Sequence, residues 1–330
     1  MNSKPILIHT HFHKRRTGVT RSIENVLPFF HNNYQTYIYG YNVAGEKISF
    51  SKLISLLFSN KEVVVHCHRN NEILRLLLFR MLGARFKLIA TRHAETSPSK
   101  LTKFLLRKSD KIITLTKSMS SSLGLKNTYI AHGINTSIFK PNPKKEVKGI
   151  LQSNIILCAG RVRKAKGQTT LLKATIPILK KQLSWALVIV GKVDKPSFLE
   201  ELKELVRKNN VQKQVYFIKE TTDIISYYQA SKIVVTPSFS EGFSLVCAEA
   251  MACGCNTIAT KNVGVHSNLI TNRKNGYLFK AGDVNSLNKL LLNNITGKTP
   301  LLGKEARKEI INEWSAQKEA KKLMEQYNFF

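Results

Sequence analysis

The sequence predicts an α/β protein with two domains, each built on a parallel β-sheet. Short runs of β-branched and aliphatic residues recur along the chain, and longer segments with helical periodicity separate them. This alternation is typical of β-α-β units, in which buried parallel strands read as nearly continuous apolar runs. The 330 residues suffice for two hydrophobic cores. The Pro- and Lys-rich stretch 141–148 has the composition of an interdomain linker.

Each half of the chain supplies its own set of predicted strands. In the first half they are expected at 4–8, 37–39, 63–66, 87–91, 112–116 and 127–131. In the second half they are expected at 155–159, 186–190, 215–217, 233–236 and 256–260. Helical patterns lie between them, and a long charged helix is predicted at 304–327.

The charge balance is strongly basic. The formal net charge is +31, from 52 Lys and Arg against 21 Asp and Glu, and the excess is denser in the first half. Such a field favours anionic partners such as nucleic acid, anionic lipid or a phosphorylated glycolipid. No helix-turn-helix, zinc-finger or RNP-type pattern accompanies it, so no specific nucleic-acid partner is expected.

Membrane insertion and disulfides are not expected. The apolar stretch 74–86 is broken by Arg75, Arg80 and Arg85, which favours a core helix with outward-reaching arginines or a basic face on an anionic membrane over a transmembrane helix. The N-terminal residues turn polar too early for a signal peptide. Five scattered cysteines indicate reduced thiols in the cytoplasm.

Histidines recur at the predicted strand ends. His9, His11 and His13 alternate and would share one face of an extended segment, which is compatible with a metal. No carboxylate or cysteine lies near them in sequence to complete such a site, so no metal is expected there. A structural role is the preferred interpretation for the pair in the run HCH at 66–68.

The stretch 236–254, TPSFSEGFSLVCAEAMACG, is the most informative part of the chain. It leaves a predicted strand, passes through a polar loop and enters a helix that ends near Gly254. Glu241 lies in the loop and Glu249 in the helix. Amides at a helix start attract phosphates, whereas carboxylates suit the vicinal hydroxyls of a ribose or a hexose. The combination predicts a nucleotide-sugar site; the simpler interpretation is that both glutamates are solvated surface charges.

A second loop, GRVRKAKG at 160–167, follows a predicted strand and precedes a helix. It carries Arg161 and Lys166. A guanidinium fork and an ammonium point charge can both reach one diphosphate. The loop is therefore predicted to neutralise the phosphates of the donor, with a solvated basic loop as the alternative.

Together these motifs resemble the retaining glycosyltransferases of family 4, which have the GT-B fold. The resemblance includes HGIN at 132–135 and NGYLF at 275–279, and it is strongest between 155 and 283. It implies two Rossmann-like parallel-sheet domains facing a central cleft. The expected domains are an acceptor-binding domain at 1–148, a nucleotide-sugar-binding domain at 149–305, and a C-terminal helix at 306–330 that packs back on the first domain.

The resemblance also implies roles for individual residues. In the family the first glutamate contacts the donor sugar and the second the ribose, which assigns these roles to Glu241 and Glu249. A histidine near the reacting sugar matches His93, after the strand predicted at 87–91. The residues implied to be catalytic are His93, Arg161, Lys166 and Glu241. The residues implied to bind the donor are Gly18, Arg161, Lys166, Glu241, Gly242, Phe243, Ser244, Leu245 and Glu249.

The first half, with HKRRTGVT at 13–20, is most similar to lipopolysaccharide core mannosyltransferases. The family usually has a Gly-Gly turn here, of which only Gly18 remains. The resemblance implies GDP-mannose as donor and an anionic glycolipid, the Kdo–lipid A region, as acceptor at the inner face of the cytoplasmic membrane. The residues expected at the acceptor are Arg15, Arg16, Thr17 and Arg92.

The predicted chemistry uses no metal cofactor. The chain has no Asp-x-Asp pair to clamp a metal, so protein cations and helix amides are expected to neutralise the leaving diphosphate. The resemblance implies retention of configuration, with the donor phosphate guiding the acceptor. The alternatives are another family 4 enzyme that uses a UDP-sugar, a nucleotide-sugar epimerase of the same fold, and a non-catalytic nucleic-acid-binding protein.

Overall fold

The computed structural model describes residues 4–142 and 145–328, and the chain forms two compact units. Unit 1 comprises the chain up to residue 135 together with residues from 314 onward, and unit 2 comprises 136–313. The domain boundaries predicted from the sequence are at 148 and 305 instead. Residues 143 and 144 of the predicted linker lie outside the described residues.

Both units are α/β, as predicted. The strands are β1 Ile6–His11, β2 Gln35–Gly40, β3 Val63–Cys67, β4 Lys87–Arg92, β5 Lys111–Thr114, β6 Thr128–Tyr129, β7 Asn154–Ala159, β8 Trp185–Val190, β9 Val215–Ile218, β10 Ile233–Thr236, β11 Asn256–Thr260 and β12 Tyr277–Phe279. The helices are α1 Gly18–Val26, α2 Phe50–Leu57, α3 Asn70–Met81, α4 Lys100–Arg107, α5 Lys117–Ser122, α6 Gln168–Leu179, α7 Pro196–Lys208, α8 Ile224–Ala230, α9 Leu245–Ala252, α10 His266–Leu269, α11 Val284–Ile295, α12 Gly303–Glu313 and α13 Ala316–Tyr327. Each predicted strand has a counterpart, and β12 is additional.

Unit 1 is a six-stranded parallel sheet with the order β2-β1-β3-β4-β5-β6. One face carries a core that includes Ile6 and Ile8 and residues of α2, α3 and α4. The other face carries a core that includes Leu7 and Val64 and residues of α1 and α13. Alternate strand residues point to opposite faces, so both faces of β1 and β3 are apolar and both are covered by helices.

Unit 2 is a second six-stranded parallel sheet, with the order β12-β11-β10-β7-β8-β9. Its first strand, β7, lies between β8 and β10, so the direction of strand addition reverses between β7 and β10. Ligands of open parallel sheets bind outside the carboxyl ends of the strands at such a reversal. The loops that follow β7 and β10 therefore occupy the position from which a ligand site is expected.

The prediction of a single helix at 304–327 is wrong, because α12 ends at Glu313 and α13 begins at Ala316. The backbone of Ile134 bonds to the intervening segment: its amide donates to Trp314 O over 2.8 Å, and its carbonyl accepts from Ala316 N over 2.9 Å. Ser315 then caps α13, since its side chain accepts from the amide of Lys318. The predicted helix 306–330 is thus divided between the two units, and only α13 packs in unit 1.

Within the described part of the chain, no helix combines the length and the apolar character that crossing a membrane requires.

Candidate functional site

The loops after β7 and β10 are joined by an ion pair. Nζ of Lys166 lies 2.6 Å from both carboxylate oxygens of Glu241. Oγ of Ser238 donates to the same carboxylate over 2.7 Å. The exposed fractions of the two charged side chains are only 16% and 11%, so water screens the pair weakly. Two residues predicted to act on the phosphate and the sugar therefore touch each other at the edge of the sheet.

Backbone contacts fix the same two loops. The amide of Phe239 donates to Ala165 O over 2.9 Å. Gly167 follows with φ +71°, and a Cβ on it would lie 2.0 Å from Pro237 O. A side chain at this position would meet both a steric clash and an unfavourable backbone region. The close approach of the loops thus requires a glycine, and it places Lys166 beside Glu241.

Arg161 lies in the same loop as Lys166 but is differently placed. Its side chain is 47% exposed, and its guanidinium is 3.9 Å from the carboxylate of Asp194. A partly exposed guanidinium at this distance from its counter-ion gains little from the pair. It remains available to an anion at the carboxyl edge of the sheet, with its planar fork of donors.

The start of α9 is held by a buried histidine that the sequence does not single out. Nδ1 of His266 is 2.9 Å from Thr260 O, so it carries the proton, and Nε2 accepts from Oγ of Ser244 over 2.7 Å. Burial lowers the pKa of His266 and favours this neutral form. Ser244 has φ +87°, and its carbonyl accepts the first bonds of the helix. Phe243 is buried, while Gly242 and Leu245 are partly exposed.

Glu249 is buried inside unit 2. It lies in the second turn of α9 with 5% exposure, and the hydroxyl of Tyr228 in α8 donates to its Oε2 over 3.0 Å. With Glu241 ion-paired and Glu249 buried, the interpretation of both as solvated surface charges is wrong. The ribose role implied for Glu249 stays a prediction, and Tyr228 is a neighbour that the sequence did not identify.

Unit 1 gathers histidines at the carboxyl edge of its sheet. His9 of β1 is in register with His66 of β3. Each stands two residues after a core residue of the same sheet face, Leu7 or Val64, and His132 lies three residues after the end of β6. The helix-covered apolar face of the sheet thus continues into imidazoles near the strand ends.

These histidines form a hydrogen-bonded chain. Nδ1 of His9 is 3.3 Å from Nε2 of His68, Nδ1 of His68 is 3.0 Å from Nε2 of His93, and Nδ1 of His93 is 3.4 Å from Nε2 of His132. Nδ1 of His132 is 2.9 Å from Glu319 in α13. His66 stands beside this chain, bonded to Tyr327 and Thr91 over 2.6 Å each. His93, predicted to be catalytic, is thus tied to residues from four other parts of unit 1.

The structure does not gather His9, His11 and His13 into one set of ligands. Nδ1 of His11 bonds to Tyr41 O over 2.8 Å, and Nδ1 of His13 lies 3.2 Å from the carbonyl of Arg15. His9 instead approaches His66 and His68, with one nitrogen of each within 4.8 Å of the others. The three rings are stacked or tilted on one another.

The basic loop after β1 is largely exposed. Arg15 and Arg16 are exposed, and Arg16 pairs with Glu24 over 2.6 Å. Thr17 precedes α1, whose first residue is Gly18. Arg92 ends β4, and its guanidinium donates to Thr96 O. All these acceptor candidates lie at or after the carboxyl ends of strands of unit 1, at the edge where the histidines lie.

Comparison with known proteins identifies a family. Residues 140–323 match the model described as Glycosyl transferases group 1. The chain is 32% identical over 234 residues to the lipopolysaccharide core biosynthesis mannosyltransferase LpsB of Rhizobium meliloti (strain 1021), covering 68% of this chain and 66% of LpsB. It is 26% identical to the lipopolysaccharide core biosynthesis mannosyltransferase LpcC of Rhizobium leguminosarum bv. viciae, covering 98% and 96%.

A solved structure is similar over almost the whole chain. HepE of Anabaena, crystallised with UDP and glucose, superposes with a TM-score of 0.80 and 16% identity and covers 98% of this chain and 99% of its own. At that identity the likeness establishes the fold alone. The predicted GT-B fold, with two Rossmann-like parallel sheets, is confirmed.

Proposed function

Because this chain belongs to the glycosyl transferases of group 1, we propose that it moves a mannosyl group from GDP-mannose to the Kdo–lipid A region of a lipopolysaccharide core. The relatives LpsB and LpcC carry that class of activity in their names, and the alignment with LpcC spans nearly both chains. The basic composition suits an acceptor that carries phosphates and carboxylates.

The observation that carries the proposal is the group of charged side chains at the strand reversal of unit 2. Lys166 and Glu241 are paired there, and the exposed Arg161 belongs to the same loop as Lys166. The first-turn amides of α9 follow Glu241 within a few residues. Cations and helix amides suit a diphosphate, and a carboxylate suits sugar hydroxyls.

The proposed mechanism retains the anomeric configuration and needs no metal. As the bond between the anomeric carbon and the phosphate oxygen breaks, Arg161 and Lys166 stabilise the negative charge that develops on the diphosphate. The acceptor oxygen forms its new bond on the same face, and its proton passes to a donor phosphate oxygen. Glu241 would hold hydroxyls of the transferred sugar and Glu249 those of the ribose, while His93 would lie near the reacting sugar.

A face of unit 1 supports a location on the inner surface of the cytoplasmic membrane. The neighbouring helices α3 and α4 expose Leu78 and Met81 on one and Leu101 and Phe104 on the other, and Met81 is 82% exposed. The same two helices and the residues that follow them carry exposed basic side chains: Arg75, Arg85, Lys100, Arg107 and Lys108. Exposed apolar residues set among cations suit the interface of an anionic bilayer.

A donor screen tests the proposed reaction. GDP and GDP-mannose should raise the melting temperature of the intact protein more than UDP or UDP-glucose, and GDP-mannose should yield a mannosylated Kdo–lipid A with an α-linkage by mass spectrometry and NMR. EDTA should leave turnover unchanged. Stabilisation by duplex DNA in moderate salt with none from nucleotides, or conversion of a UDP-sugar without acceptor, would establish one of the alternative functions.

Variants test the charges at the diphosphate. Arg161→Ala and Lys166→Ala should each lower kcat by roughly 10²-fold or more with little change in the KM for acceptor, because their effect grows as the phosphate charge develops. Lys164→Ala is the matched control, since Lys164 lies in the same loop with a side chain that is 77% exposed. Equal losses of kcat in all three variants would contradict a specific role for Arg161 and Lys166.

Vesicle flotation tests the membrane face. Binding to vesicles that contain anionic lipid should be lost when Leu78 and Met81 are both replaced by Ser, because their apolar area no longer enters the interface. Leu183→Ser, at a residue of unit 2 that is 75% exposed, is the control and should bind as the wild type does. Undiminished binding of the double variant would refute the assignment of this face.

A further inference from the structure

The histidine chain of unit 1 runs without interruption from Glu319 to His9. Every link is a contact between one ring nitrogen and the next, and Glu319 accepts at the far end. Glu319 has a second bond, because the amide of Gly133 donates to its Oε2 over 2.6 Å. His9 ends the chain, and its buried Nε2 has no partner among the described residues.

The hydrogen bonds of such a chain can run from donor to acceptor in one of two directions. A neutral imidazole has one N–H and one lone pair, so each ring must donate on one side and accept on the other. A carboxylate at the end accepts only, which requires the proton of His132 to be on Nδ1. A neutral His132 then offers the lone pair of Nε2 to His93, and the same rule places the proton of His93 and of His68 on Nδ1.

Burial favours the neutral form of the rings, which either direction requires. Burial lowers the pKa of His93 and of His68 well below the usual range, and it lowers the pKa of His9 to about 3. In the direction that places the protons on Nδ1, the unpartnered atom of His9 is an acceptor. The opposite direction would bury an unpartnered N–H, and orphaned buried N–H groups are rarer than under-satisfied acceptors in native structures.

We propose that Glu319 and His132 are positioning residues of the transfer site, which hold His93 in the tautomer that has its proton on Nδ1 and its lone pair on Nε2. This inference rests on the function proposed above. His93 and His68 line a pocket of about 350 Å³ with Arg69, Asn70 and Arg92. In that tautomer the lone pair of Nε2 of His93 accepts from Nδ1 of His68. In the reaction a substrate hydroxyl that enters the pocket takes the place of His68 as the donor to this atom.

One isosteric substitution is expected to reverse the direction of the hydrogen bonds in the histidine chain. In Glu319→Gln the side-chain oxygen keeps the bond from Gly133, whose amide can only donate. The side-chain NH₂ then faces Nδ1 of His132, which must become an acceptor. His132 and His93 both move their proton to Nε2, so His93 offers a donor where the wild type offers an acceptor.

Long-range ¹⁵N–¹H spectra of the full-length protein with ¹⁵N-labelled histidine test the proposal without substrate. The wild type should show His93 protonated at Nδ1, and Glu319→Gln should show it protonated at Nε2. A wild-type His93 protonated at Nε2 or at both nitrogens would overturn the proposal even if the variant does not fold. So would an unchanged tautomer in a folded variant, or tightly held Zn²⁺ that disappears in His9→Phe.

Kinetics supply the second readout. Glu319→Gln should lower kcat for transfer by about 10- to 100-fold while the Kd for GDP stays unchanged, and full activity with a reversed tautomer would overturn the positioning role. Tyr327→Phe is the control in the same helix, because Tyr327 bonds to His66 and not to the chain; its His93 tautomer and its kcat should match the wild type. Failure of the wild type to transfer any sugar would refute the proposed function while the tautomer result still stands.

Discussion

At the scale of single residues, the ion pair of Lys166 and Glu241 shows what the sequence could predict and what it could not. Both residues were predicted from their motifs, Lys166 as a ligand of phosphate and Glu241 as a ligand of sugar. Their contact joins positions 75 residues apart, and no local pattern encodes it. In the proposed function, the diphosphate of the donor would share Lys166 with a carboxylate of the protein.

A double-mutant cycle on this pair should give a coupling free energy of about 1–3 kcal/mol, because both side chains are largely buried and removal of either leaves a weakly solvated charge. The cycle uses Lys166→Met and Glu241→Gln with urea unfolding as the measurement. The exposed pair of Lys203 and Glu200 is the control, for which less than about 1 kcal/mol is expected. Equal coupling in the two cycles would contradict the role given to burial.

The sequence missed the residues that support the site. No motif or spacing in the sequence singles out Tyr228, His266 or Glu319. Each acts through a partner that only the fold brings near. A usable signal did exist for the histidines of unit 1. His9 and His66 each follow a buried apolar residue by two positions in a strand, which places them on one sheet face. The spacing of His9, His11 and His13 within one segment was the less informative pattern.

At the scale of elements, the C-terminal helices show the limit of periodicity. A charged helical pattern continues through 304–327, and the break between α12 and α13 depends on backbone bonds to Ile134, far away in sequence. Those bonds are invisible in the sequence, although Ser315 is a favourable cap residue. The strands were easier to predict from the sequence, because buried parallel strands appear as compact apolar runs whatever their partners are.

The packing of α13 predicts a specific loss of stability. Leu323→Ala should reduce the free energy of unfolding by about 2–4 kcal/mol, since Leu323 is 3% exposed in the core of unit 1 and its removal leaves a cavity. Ile311→Ala in α12 is the matched control, because that side chain is 44% exposed, and a loss below about 1 kcal/mol is expected. The measurement is urea unfolding followed by circular dichroism. Similar losses in both variants would argue against the packing described for α13.

At the scale of the whole molecule, buried neutral histidines predict a dependence of stability on pH. Burial lowers the pKa of His9, His66, His68, His93 and His266 in the folded protein. Below pH about 6.5 these groups bind protons only when the chain unfolds. These groups should therefore leave stability constant above about pH 7 and lower it as the pH decreases below 6.5.

A histidine that stays neutral in the folded protein contributes at most about 1.4 kcal/mol per pH unit below pH about 6.5. The buried Glu72, whose pKa is raised mainly by burial, acts in the opposite direction at the acidic end. Urea unfolding at constant ionic strength between pH 7.5 and 5.5 is the measurement. A free energy of unfolding that does not change over this range would show that the histidines are charged in the folded protein.

The arrangement of α13 has a consequence for how the protein is made. The ribosome releases the strands of unit 1 first, but the helix that covers one face of their sheet is synthesised only after all of unit 2. Until then the face that carries Leu7 and Val64 lacks part of its cover. Domains generally fold as they are synthesised, so we expect unit 2 to reach its native state on the ribosome before unit 1, and the nascent first sheet to be the segment that a chaperone binds.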